Sequence, residues 1–66
     1  MQFPITLYNL RISYGLTLTE LSKYTNISIP SLSAYERGYY SPSLENLLKL
    51  ADFFQVSLDR LVGRTF

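Results

Sequence analysis

Sixty-six residues allow one domain, and a chain this short buries only a modest share of its surface on folding. A hydrophobic fraction of 47% compensates, enough for a core of packed helices. With no Cys and no His, disulfides, thiolate zinc sites and imidazole chemistry are excluded, while a net charge of +1 permits a nucleic-acid partner without arguing for one.

Pro4 suits the first turn of a helix, where its missing N–H costs nothing. Ile5, Leu7, Leu10 and Tyr14 follow at helical spacing, and Gly15 is a fit stop, giving a first helix over about 4–14. Thr17 and Glu20 then form a capping-box pattern, with the second helix at about 18–25. Asn26 sits where the chain must turn sharply, and Asn tolerates positive φ. Ser28 caps a third helix over about 29–36, with Pro30 in its first turn, Leu32 and Tyr35 facing inward, and Gly38 ending it. After the loop "YYSPS", Ser43 caps a fourth helix over about 44–54, whose Leu44, Leu47, Leu48, Leu50, Ala51 and Phe54 make a wide apolar face. Ser57 caps a last helix over about 58–62, closed by Gly63. The expected fold is all-α, a single compact bundle of five short helices.

No apolar run approaches the roughly 20 residues that span a membrane, and no signal peptide is visible, so a cytoplasmic protein is expected. The carboxylates are Glu20, Glu36, Glu45, Asp52 and Asp59, with no pair at catalytic spacing on one helix face. With no Gly-rich phosphate loop either, neither enzyme activity nor a cofactor is expected.

Two short helices joined by a tight turn, the second capped by Ser, follow the helix-turn-helix plan. Leu21, Ser22, Ile27, Leu32 and Tyr35 lie where such a pair must face the bundle, and small Ser22 lets the helices cross closely. The segments "LRISYGLT", "ELSKYTNIS", "SAYERGYYSPSLENLLKLA" and "VSLDRLVG" occur in order between Leu7 and Gly63. On these four segments the chain resembles the lambda-repressor-like, Cro-type (XRE) helix-turn-helix domains of phage and bacterial regulators. That resemblance implies a transcription regulator, a phage-type repressor, binding double-stranded DNA as a homodimer. It also implies a partly buried ion pair between Arg11 and Glu36, joining helix one to the end of helix three. Ser22 stands where the family usually has Ala, Asn26 where it has Gly, and Leu18 where it commonly has a phosphate-touching Gln. Where the loop after Gly38 often carries Lys or Arg, this chain has Tyr39, Tyr40 and Ser41.

On this reading helix three enters the major groove with Ile29, Pro30, Ser33 and Ala34 outward. None is the Arg, Lys, Asn or Gln that makes bidentate base contacts. Apolar contact with thymine methyls and a hydroxyl contact from Ser33 remain. Ser28 begins this helix, and Ser31 reads as a phosphate or first-turn contact. Thr17 caps helix two, whose first N–H groups are suited to a phosphate. Arg37 is the best phosphate contact and Lys23 a solvated surface charge. Tyr39 and Tyr40 either offer hydroxyls to phosphates or divide between core packing and exposure. Leu58, Leu61, Val62 and Phe66 form the expected dimer contact. A second reading stands beside this one. Between residues 17 and 40 Lys23 and Arg37 cancel Glu20 and Glu36, which weakens DNA attraction. An apolar, neutral helix three would also serve as a binding face for another regulatory protein.

Overall fold

The computed structural model describes residues 2–63, which fold into five helices with no strand among them. They are α1 (Phe3–Ser13), α2 (Leu18–Thr25), α3 (Ile29–Arg37), α4 (Leu44–Phe54) and α5 (Leu58–Val62). No helix among the described residues is long and apolar enough to cross a membrane.

Capping explains why helices this short begin where they do. Ser28, Ser43 and Ser57 each accept a hydrogen bond from the amide three residues on, at 3.3, 3.2 and 3.1 Å. Each satisfies one of the donors that a helix start leaves orphaned. At α2 the box is reciprocal: Glu20 N–H donates to Thr17 Oγ1 at 3.1 Å, and Thr17 N–H donates to Glu20 Oε1 at 2.9 Å. The Thr17 amide first, its hydroxyl second, and then Lys23 hold the Glu20 carboxyl below the usual Glu range. A carboxylate with a lowered folded-state pKa contributes stability above its unfolded pKa and loses it as the pH falls through the folded value. Acidification should therefore open this box only below the ordinary Glu range. An NMR titration reading the Glu20 side chain and the Thr17 amide together tests this. A Glu20 midpoint at or above the ordinary value would contradict it.

Seven side chains are fully buried: Phe3, Leu7, Leu21, Leu32, Leu50, Phe54 and Leu61. Every helix supplies at least one, and each burial contributes roughly 1.5–3 kcal/mol. Tyr35 joins this core, its ring edge-on to Phe3 at 6.0 Å and its hydroxyl accepting from Asn46 Nδ2 of α4 at 2.9 Å.

Three expectations about faces need correction. The first helix starts at Phe3, with Pro4 in its second position, and Phe3 takes the core place assigned to Ile5. Ile5 is 64% exposed, because it lies two residues from both Phe3 and Leu7, on the other side of the helix. Leu44 and Leu48 are also exposed, since the buried face of α4 is centred on Leu50, Ala51 and Phe54. At the far end Gly63 has φ +76°, and a Cβ there would lie 2.7 Å from Gln2 Cβ. The end of α5 thus fits against the residue that precedes α1.

Candidate nucleic-acid interface

The geometry of α2 and α3 is set by the turn between them. Asn26 takes the left-handed conformation at φ 60°, and its N–H donates to the Ser22 carbonyl at 2.8 Å. Ser22 Oγ donates in turn to the Ile27 carbonyl at 2.6 Å. Ile27 itself is buried, so the turn is pinned by polar bonds on one side and by the core on the other. Composition hinted at this only through the smallness of Ser22; the hydroxyl is what closes the turn.

On α3, Pro30, Ser33 and Arg37 fall at i, i+3 and i+7 and form one row facing away from Leu32 and Tyr35. Pro30 and Arg37 are exposed and Ser33 is half-buried. Ile29, at the start of the helix, is 41% exposed. Ser31 is half-buried, and its Oγ accepts from Ser28 Oγ at 2.8 Å, so both hydroxyls are engaged at the helix start. Ala34 does not belong to the row: it is buried, with 8% of its surface left. The chain turns back at Gly38, and Tyr39 N–H donates to the Ala34 carbonyl at 2.9 Å.

Beyond Gly38 both tyrosines are exposed, so neither packs over the core. The Arg37 guanidinium lies 6.0 Å from the centre of the Tyr39 ring, which places cation and phenol side by side at the end of α3. At the start of α2 the capping box occupies the Glu20 amide, and the Leu21 amide closes on the Thr17 carbonyl at 3.0 Å. The amides of Leu18 and Thr19 are left over at the positive end of the helix.

A clamp between Arg11 and Glu36 holds these two anchors at a fixed separation. Arg11 Nε donates to Glu36 Oε2 at 2.7 Å and Nη2 to Oε1 at 3.0 Å. Arg11 Nη1 donates to the Leu16 carbonyl at 2.8 Å, one residue before the α2 cap. One guanidinium therefore ties the end of α3 to the approach to α2. The hydrogen bond to Glu36, outweighing burial, raises the Arg11 pKa, so the guanidinium stays charged. Because Arg11 neutralises Glu36, the balance counted over residues 17–40 omits a cation from the same surface. With it, that surface carries one positive charge in excess.

A family model described as Helix-turn-helix matches residues 7–61. The chain belongs to the helix-turn-helix family. It is 36% identical over 64 residues to the cryptic phage CTXphi transcriptional repressor RstR of Vibrio cholerae, spanning 97% of this chain and 57% of that relative. It is 42% identical over 50 residues to the HTH-type transcriptional regulator ImmR of Bacillus subtilis, spanning 76% of this chain and 39% of that relative. A solved structure, a transcriptional regulator from Listeria innocua, superposes with a TM-score of 0.89 at 31% identity, covering 98% of this chain and 61% of that one. The chain thus spans about half the length of these curated relatives.

As a helix-turn-helix domain the molecule departs from expectation at two further places. Leu18 packs half-buried against the core and carries no donor, so only its backbone amide is available to a phosphate. The apolar end of α5 is largely spent: Leu61 is fully buried, and Leu58 and Val62 are half-buried. Leu61 presents nothing to a second copy, because α5, in contact with α1 and α4, turns Leu61 into the core. Phe66 lies outside the described residues.

Proposed function

We propose that this chain is a DNA-binding transcription regulator, a repressor of the phage type, that reads the major groove of double-stranded DNA with α3. The observation that carries the reading is the outward row Pro30, Ser33 and Arg37, with Ile29 beside it, on a helix fixed by the pinned turn and the Arg11–Glu36 clamp. The names of the relatives support it. Ile29 and Pro30 suit thymine methyls, and Ser33 supplies one hydroxyl. Arg37, Tyr39, Tyr40 and the free amides at the start of α2 suit phosphates. With so few polar base contacts, groove shape carries a larger share of selectivity. Two copies on half-sites one helical turn apart double the contacts. The working compartment is the cytoplasm, where the protein meets DNA without crossing a membrane, and the role involves no catalysis.

Arg37→Ala should weaken binding by a similar factor on every DNA sequence and lower the slope of log affinity against log salt by about 1. Fluorescence anisotropy on an operator-bearing fragment and on a scrambled one, over a salt series, tests this. An unchanged slope would remove Arg37 from the phosphate contacts. If the wild-type protein binds no fragment from its own locus even at low salt, the reading fails. The exposure of Ile29 and Pro30 favours one other reading, a face for another regulatory protein; a complex that survives high salt and excludes DNA would mark that outcome.

A further inference from the structure

Arg11 and Arg37 lie on either side of Glu36 in opposite conditions. Arg11 is spent: its Nε, Nη1 and Nη2 all donate within the protein, to Glu36 and to the Leu16 carbonyl. Arg37 is not. Glu36 is the only carboxylate on α3, and Arg11 holds it. Among the described residues no carboxylate lies within ion-pair distance of Arg37. Its exposed guanidinium lies instead 6.0 Å from the centre of the Tyr39 ring, within cation–π reach. The backbone sets where that ring starts. Gly38 N–H donates to the Tyr35 carbonyl at 3.1 Å and Tyr39 N–H to the Ala34 carbonyl at 2.9 Å, so Tyr39 is tied to the last turn of the helix that carries Arg37. Arginine has more rotamer freedom than tyrosine, so the ring restrains the guanidinium and not the reverse.

We infer that Tyr39 is a positioning residue for the Arg37 phosphate contact, and that it acts through the face of its ring and not through its hydroxyl. This role rests on the DNA-binding reading above. A carboxylate would also hold the guanidinium, but it would cancel the charge and occupy the N–H groups, as Glu36 does for Arg11. An aromatic ring attracts the cation through its quadrupole and takes neither. The charge of Arg37 stays whole, and its N–H donors stay available for a phosphate. Restraint before binding also reduces the side-chain order that must be acquired on binding. Tyr40 is equally exposed, but no cation among the described residues lies over its ring, so it lacks this role.

The first readout contains no DNA. In NMR spectra of the free protein, ring currents should move the Arg37 side-chain protons upfield, and Tyr39→Leu should return them to the positions of an unstructured arginine. The second readout is fluorescence anisotropy on the operator-bearing and scrambled fragments. Tyr39→Leu should weaken binding about 2- to 5-fold on both, the range expected for an exposed cation–π contact. Tyr39→Phe keeps the ring and should stay within about 1.5-fold of wild type. In an Arg37→Ala background Tyr39→Leu should cost nothing further, because the ring has no cation left to hold. Tyr39 is 69% exposed, so the helical circular dichroism should be the same in every variant.

A phosphate contact made by the hydroxyl gives the opposite pattern. Tyr39→Phe would then cost as much as Tyr39→Leu, and both losses would persist beside Arg37→Ala, which overturns the inference. Arg37 protons without an upfield shift overturn it too, as does a Tyr39→Leu variant that binds DNA as wild type does. In each of these cases wild type still binds DNA, and only the role of Tyr39 falls. A wild-type protein that binds no DNA removes the phosphate itself, and the DNA-binding reading falls together with this role.

Discussion

Glu36→Ala is expected to lower the unfolding free energy by about 3 kcal/mol, because it strands a guanidinium away from water. The side chains of Arg11 and Glu36 are only 11% and 9% exposed, which separates this pair from surface salt bridges worth ~1 kcal/mol or less. After the substitution Arg11 keeps its bond to the Leu16 carbonyl and its position over Tyr8, so it is not free to swing into solvent. A small domain has a total stability of only roughly 5 kcal/mol, so the variant should keep only about 2 kcal/mol and unfold at a much lower urea concentration. Urea denaturation followed by circular dichroism measures this. The double variant Arg11→Met, Glu36→Leu should recover most of the loss, since apolar side chains of similar volume replace a buried pair at little cost. A loss below ~1 kcal/mol for Glu36→Ala would show that solvent reaches the pair and that the clamp is weak.

Ile29→Glu should separate folding from binding. Ile29 is the first residue of α3, and the first turn of that helix carries no acidic residue. A carboxylate there faces the positive end of the helix and adds about 0.3–1 kcal/mol to stability. Against DNA the same carboxylate meets phosphates, and like-charge juxtaposition costs several kcal/mol. Operator affinity should fall at least ~100-fold while the melting temperature holds or rises. Thermal melts and anisotropy on one preparation check both halves. Affinity retained within a few-fold would mean that the start of α3 does not enter the groove.

The element plan was legible because capping chemistry is local. Ser28, Ser43, Ser57 and the Thr17–Glu20 pair act on amides three residues away, so their spacing reports the helix starts directly. Asn26 was legible as a left-handed turn because Asn tolerates that region. Gln55 takes the same conformation at φ 56° and carried no comparable signal. Which face of a short helix is buried was harder to read. Leu58, Leu61 and Val62 form one stripe by period, and only the packing of α5 on α1 and α4 decides that Leu61 turns in and the others lie at the edge. Ala34 points outward by period, yet it is buried. Charge counting along a sequence window failed for a related reason. Arg11 reaches Glu36 across 25 positions, so the charge of the candidate site belongs to the fold and not to the segment.

Gln2 and Gly63 meet at a spacing that admits no side chain on the glycine. Fully buried Phe3 lies next to one and fully buried Leu61 two residues before the other. The described chain is therefore closed like a clasp. The five-residue α5 has too few turns to hold a helix unaided, and it is held by its packing on α1 and α4. Gln2 is part of the surface on which the end of α5 is seated, beside the contacts of α5 with α1 and α4. A change at position 2 would thus be felt at the end of α5 as well as at the start of α1.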